Sequence, residues 1–183
     1  NDIDFPDLLL AVIRHVGKEL RERLQLELAL PHLHKFLDNF KDILGAQTNL
    51  EKLELDAKIA KFTFAIKNSP DARAKIRKAL EPNISSLIQA ANDLLGEASI
   101  RLKAKGYRDL VLIIDNLDRI VLRDIPGSQF NTHEQLFLNR GSQLAELGCH
   151  VVYTLPISMV FSPKATALTT IFGKRPDVLP MVK

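Results

Sequence analysis

Apolar residues recur at three- and four-residue intervals between positions 5 and 30, where Leu9, Ile13, Val16, Leu20 and Leu24 share one face and charges occupy the other. That period predicts an amphipathic helix. Pro6 suits its first turn, and Asp7 suits the positive end of its dipole. Pro31 interrupts the pattern. A second helical stripe follows in Leu33, Phe36, Leu37, Phe40, Ile43 and Leu44, which Gly45 can close. The period then shortens. From Ile59 to Ile66 much of the apolar signal alternates, predicting one or two half-buried strands, a short β-hairpin that Leu53 and Leu55 would begin. Ser69-Pro70-Asp71 signals the start of another helix, and Pro82 ends it. A longer helix should run from about Ile84 to Lys105, with Ile88, Ala91, Leu95 and Leu102 inward and Gly106 as its stop.

The last third changes character to strand, loop, helix, strand. Leu110-Val111-Leu112-Ile113-Ile114 is a continuous apolar run, which predicts a strand buried on both faces, the usual state of a parallel strand. Thr132, with Gln135 three residues on, reads as a capping box. The helix it opens has Leu136, Phe137, Leu144 and Leu147 on its apolar side and ends at Gly148. Residues Cys149 to Thr154 form a second strand, halted by Pro156. Two strands joined by such a crossover should be parallel and right-handed. The predicted class is α/β: a parallel-sheet core from 106 to 183, an opening helix over 1–30, and between them a large, mainly helical insert over 31–105 that carries the short hairpin.

Composition narrows the function classes. With 183 residues the chain is long enough for one core, and 46% apolar residues argue against disorder. No apolar run approaches the roughly 18 residues of a membrane span, and charges stud the first apolar segment, so neither a membrane role nor a signal peptide is expected. A single cysteine, Cys149, excludes an internal disulfide framework; a reducing, cytoplasmic setting is the default. The net charge of 25 − 22 = +3 is mild for a nucleic-acid binder. Arg101, Lys103, Lys105 and Arg108 form the nearest thing to a basic patch, and they are better read as cations at a helix C-terminus. The first residue, Asn1, rather than Met, suggests an excerpt of a longer protein.

Chemistry concentrates in LVLIIDNLDR, residues 110–119. An aspartate directly after a buried parallel strand emerges at the carboxyl edge of the sheet, where α/β proteins bind ligands. Asp115 there is either a ligand for a hard cation such as Mg²⁺ or a residue that caps a loop. Thr154, at the end of the second strand, can bond nearby backbone. Asp118 reads as the ion-pair partner of Arg119. Arg140, on the crossover helix, reads as a solvated helix-face residue rather than an arginine finger. His32, His34, His133 and His150 show no ligand spacing, and Asn83-Ile84-Ser85 is a glycosylation sequon in form only.

The stretch LVLIIDNLDRI resembles the Walker B segment of STAND- and AAA-like bacterial P-loop ATPases, a group that includes the KAP-type ATPases, in which hhhhD(D/N)LDR is common. Residues Cys149 to Ser158 are similar to the next core strand with its polar sensor-1 end. The opening FPDLLLAVIRHVGKEL resembles the helix these proteins place between the P-loop unit and the Walker B strand, and the closing Leu179 to Lys183 is similar in kind. The resemblance covers the two ends and the last third, and covers residues 31–82 poorly. It implies a partial P-loop NTPase core that binds and hydrolyses ATP as a switch in signalling or defence. Asp115 would hold Mg²⁺, Asn116 would lie beside the nucleotide, Thr154 would be the sensor-1 residue, and Asp118 would be the nearest remaining carboxylate for catalysis. ATP and Mg²⁺ are the implied cofactors.

Two departures limit the carry-over. No GxxxxGK(S/T) occurs; Gly17-Lys18 and Gly173-Lys174 lack both the earlier glycine and the following hydroxyl residue. The phosphate cradle would then lie upstream of Asn1, and the chain alone should bind ATP weakly. The second departure is Asn116, which stands where many of these ATPases place an acid, and an amide cannot accept the proton of the attacking water. The alternative function is a non-catalytic interaction or oligomerisation module. It would associate through the helical insert or an exposed sheet edge, with Phe62 and Phe64 in the predicted hairpin as one candidate. A Mg²⁺-dependent nuclease using Asp115 and Asp118 is weaker, because such sites draw acids from several elements.

Overall fold

The computed structural model describes residues 3–25, 57 and 70–179. The predicted stripe at 33–44, the hairpin at 59–66, the Ser69 cap, His32, His34 and the last four residues lie outside them. The described fold is mixed α/β and mostly helical, with one two-stranded parallel sheet. The chain divides into two compact units. One is Pro6–Leu110; the other joins Asn1–Phe5 to Val111–Lys183.

The first unit is helical. Helix α1 spans Phe5–Leu24, and Leu9, Ile13, Val16 and Leu20 are buried as their spacing predicts. Its observed end precedes the expected one: Gln25 has φ of +53°, the left-handed region that does not continue a helix. Asp7 does more than offset a dipole. Its carboxylate pairs with Arg77 of helix α2, Pro70–Leu80, an ion pair in which both side chains are largely buried. Pro82 ends α2 as expected, because its ring cannot follow a helical carbonyl; a tight turn at Glu81–Asn83 carries the chain into helix α3, Ile84–Ala104. Ile88, Ala91, Leu95 and Leu102 are all buried on α3. Gly106, with φ of +89°, supplies the left-handed stop. Arg101 and Lys103 occupy the last turn of α3, with Arg101 paired to Glu97, so this basic run is a helix end, as its position suggested.

In the second unit, strand β1, Val111–Ile114, pairs in parallel with β2, His150–Tyr153, and Ile113 stands opposite Val152. The parallel pairing matches expectation; the burial does not. The continuous apolar run predicted two covered faces, yet Val111, Ile113 and Val152 are 53%, 72% and 53% exposed, while Leu112, Ile114, Val151 and Tyr153 are half-buried. Among the described residues, side chains of the crossover pack on the half-buried face, where Tyr153 donates its O–H to Leu144 C=O.

That crossover begins in a turn at Ile125-Pro126-Gly127-Ser128, where Ser128 N–H donates to Ile125 C=O at 3.0 Å and Gly127 takes φ of +75°. The cap of helix α4, Thr132–Glu134, is Asn131 rather than Thr132. Glu134 N–H donates to the Asn131 side chain at 3.0 Å, and Asn131 N–H donates to Glu134 Oε2 at 3.4 Å. The capping box is therefore real but one residue earlier than expected. Thr132 is drawn elsewhere: its hydroxyl donates to Val121 C=O at 2.7 Å and accepts from Arg123 N–H at 3.1 Å. The helix then widens through Gln135–Asn139, where Arg140 N–H reaches back to Gln135 C=O at 3.0 Å. It resumes as α5, Gly141–Ala145. Leu136, Phe137, Leu144 and Leu147 are all buried. Two helices follow β2: α6, Ile157–Val160, and α7, Ala165–Phe172, which Gly173 closes at φ of +68°. No helix among the described residues is long and apolar enough to cross a membrane.

Candidate functional site at the carboxyl ends of the two strands

Parallel pairing places the residues that follow β1 and β2 side by side. Ile114 stands opposite Tyr153, and Thr154 N–H extends the ladder to Ile114 C=O at 3.2 Å. Asp115 thus leaves the sheet next to Thr154, the arrangement that the two apolar strands implied. Asp115 is exposed, and its Oδ1 accepts the N–H of Asn116 at 2.7 Å. That contact engages one carboxylate oxygen, Oδ1, of an exposed side chain.

Asn116 has φ of +65° and ψ of +13°. Apart from glycine, asparagine and aspartate are the residues that most readily occupy this left-handed well, because their short polar side chains bond locally. The turn reverses the chain within one residue and leads into the short helical turn Leu117–Arg119. Leu117 is buried and anchors the loop, and its N–H donates to Thr154 Oγ1 at 3.1 Å. Thr154 therefore bonds neighbouring backbone, as a threonine at a strand end can. Its lone pair holds the loop after β1, while its O–H hydrogen remains a donor.

Asp118 and Arg119 are both exposed, and among the described residues no ion pair joins them. The favoured reading of that neighbouring pair is corrected: side chains adjacent in a tight helical turn diverge by about 100°, which separates their charged ends. Arg140 is corrected as well. It is half-buried where the widened turn meets α5, and its Nε is buried without a hydrogen bond, so it is not a solvated helix-face residue. His133 is a core residue whose Nε2 lies 2.7 Å from Ile120 C=O, whereas His150 is exposed on β2. Asn83 donates from its side chain to Ala79 C=O at 3.0 Å.

Several features of this unit have no counterpart in the sequence patterns. Glu134 pairs with Lys164 at 2.8 Å, and that lysine, helped by Asn131, holds its carboxyl below the usual range against the opposing effect of burial. Tyr153 donates its O–H to Leu144 C=O at 2.8 Å; burial, with a smaller contribution from Cys149, raises its phenol well above the usual tyrosine value. A groove of about 410 Å³ opens beside β2, floored by Leu144, Leu147, Leu168 and Ile171. An apolar residue every third or fourth position in 165–172 was the only available signal for its far wall.

Among the described residues, no group of three or more His, Cys, Asp or Glu side chains converges as a metal cage would require. Comparison of this chain with protein-family models, with curated proteins and with solved structures returns no match.

Proposed function

We propose that residues 106–183 are the Walker B and sensor-1 part of a P-loop-type ATPase that works as a nucleotide-dependent switch. The single observation that carries this reading is the juxtaposition of Asp115 and Thr154 at the carboxyl ends of adjacent parallel strands, tied together by the Leu117 N–H to Thr154 hydrogen bond. Mg²⁺ commonly uses one or two carboxylates and completes its octahedron with water and phosphate oxygens. One exposed carboxylate, with Oδ1 engaged by Asn116 N–H, suits that donor set, and a dedicated protein cage is not needed. Bound there, the metal would neutralise charge on the phosphates.

The residues of the chain then divide the work. Asp115 provides the anion, and Asn116 N–H donates to its Oδ1. Thr154 holds the loop through one lone pair and presents its O–H to a phosphate or to the attacking water. Asn116 cannot serve as a base, so Asp118 is the carboxylate nearest in sequence for that role. The phosphate cradle has no counterpart within residues 1–183, and the reading requires one from outside this segment.

The test is hydrolysis by the longest natural polypeptide that contains this segment. Asp115→Ala should abolish turnover while leaving the fold intact by circular dichroism. Unchanged turnover, or tight ATP·Mg²⁺ binding by residues 1–183 alone, overturns the reading.

A further inference from the structure

His133 is a buried histidine, 5% exposed, in the opening turn of the crossover helix. Its Nε2 lies 2.7 Å from Ile120 C=O. A carbonyl only accepts, so Nε2 carries the ring proton and donates it. The preceding residue acts in the same way, since Thr132 O–H donates to Val121 C=O at 2.7 Å. Two successive carbonyls of the chain leaving β1 are therefore held by two successive side chains of α4. The two ties differ in weight. Val121 and its bond lie at the surface, where water can replace the threonine. The His133 bond is buried, so loss of that donor leaves the Ile120 carbonyl unmatched. Helix α4 is itself held, by the Asn131 cap and by the Glu134–Lys164 ion pair at 2.8 Å.

We propose that His133 is a positioning residue for the loop that carries Asp115 and Asp118, acting through the Ile120 carbonyl. The loop has two anchors. Leu117 is buried and donates its N–H to Thr154 Oγ1 at 3.1 Å; Ile120 is buried and accepts from His133. Asp118 and Arg119 are exposed on the two-residue span between them. Within that span the backbone turn is closed by Arg119 N–H to Asn116 C=O at 3.2 Å and Ile120 N–H to Leu117 C=O at 3.3 Å. The first anchor fixes the side on which Asp115 leaves the sheet, and the His133 anchor fixes the side that directs Asp118. The catalytic consequence rests on the ATPase reading; the clamp on the loop does not. A misplacement of about 1 Å at a reacting group can cost about a hundredfold in rate. Releasing Ile120 should therefore lower kcat, while KM for ATP·Mg²⁺ follows Asp115 and the phosphate cradle and stays nearly constant.

The experiment first takes residues 1–183 unmodified. Nitrogen NMR of the His133 ring at neutral pH should place the proton on Nε2; a proton on Nδ1 instead overturns the proposal. Two variants then separate the donor from the bulk of the ring. His133→Phe keeps the ring and loses the donor, and should cost the Arg119 and Ile120 amides about tenfold in hydrogen-exchange protection, the scale of one net hydrogen bond. His133→Gln restores an N–H at similar reach and should recover most of that protection. Unchanged protection in His133→Phe, or equal loss in both variants, overturns the proposal; if the Phe variant fails to fold, the ring tautomer and the Gln variant decide it. In the longest natural polypeptide that contains the segment, His133→Phe should lower kcat for ATP about tenfold or more with KM changed less than about twofold, and His133→Gln should restore it. Unchanged kcat in His133→Phe where Asp115→Ala is inactive overturns the positioning role. Unchanged turnover in Asp115→Ala, with the exchange pattern as expected, overturns the ATPase reading and leaves the clamp in place.

Discussion

Leu117 and Thr154 are 37 positions apart, yet the N–H of one donates to the hydroxyl of the other at 3.1 Å, joining the loop after β1 to the end of β2. The bond is partly buried, and it ties the loop that carries the exposed Asp115 to the end of the second strand. Removing the acceptor should therefore be costly. Thr154→Val keeps the shape but leaves Leu117 N–H unmatched, with an expected loss of about 1–2 kcal/mol. Thr154→Ser should retain most of the stability. Urea unfolding of the three proteins checks both values.

The left-handed turn at Asn116 makes a second prediction, of unequal effects from two substitutions. A β-branched residue there meets its own carbonyl, so Asn116→Val should destabilise by about 1–2 kcal/mol. Asn116→Gly accepts the conformation without that clash and should stay within about 1 kcal/mol of the parent. Equal effects of the two substitutions in thermal unfolding would contradict the turn.

Gly141 sits where α5 meets α7, and a Cβ on it would lie 2.9 Å from both Cδ1 and Cγ2 of Ile171. Gly141→Ala should cost about 1–3 kcal/mol through overpacking, despite alanine's better helix propensity. Adding Ile171→Ala removes the clashing atoms, so the double variant should fall short of the summed single losses. A double-mutant cycle measures that coupling.

Two titrations should limit stability from opposite ends of the pH scale. The Glu134 carboxyl is depressed by Lys164, so its contribution is present above the ordinary carboxylate range and is lost as pH falls through its folded value. The Tyr153 phenol is raised by burial, so the folded state keeps a proton that the unfolded chain releases above about pH 10, and stability declines from there upward. Denaturation midpoints across pH should show both limbs. Glu134→Gln should flatten the acidic one and Tyr153→Phe the alkaline one.

Much of the helical framework was legible along the chain. Pro82 and Gly106 bound α2 and α3 because ring geometry and positive φ act within a few residues of where they occur. The parallel pairing of β1 with β2 was legible too, since a crossover helix between two apolar runs permits little else. Asp115 and Thr154 could be placed at one edge for the same reason. Their linkage could not, because a hydrogen bond from Leu117 depends on the left-handed turn at Asn116, and nothing local required that residue to adopt it. The capping box shows the same limit: Asn131 and Thr132 are both competent caps, and Thr132 was withdrawn by the carbonyl of Val121, eleven residues away.

What the sequence determined by itself were periods, breaks and the order of elements, all properties of interactions within one or two turns. Tertiary structure decided which faces and edges are covered. The apolar run at 110–114 forecast burial on both sides, yet Ile113 and Val152 lie exposed on one face, and among the described residues β2 pairs with β1 alone. Hydropathy records the environment a strand favours; which neighbour occupies each side is settled only when distant segments compete for the same surface.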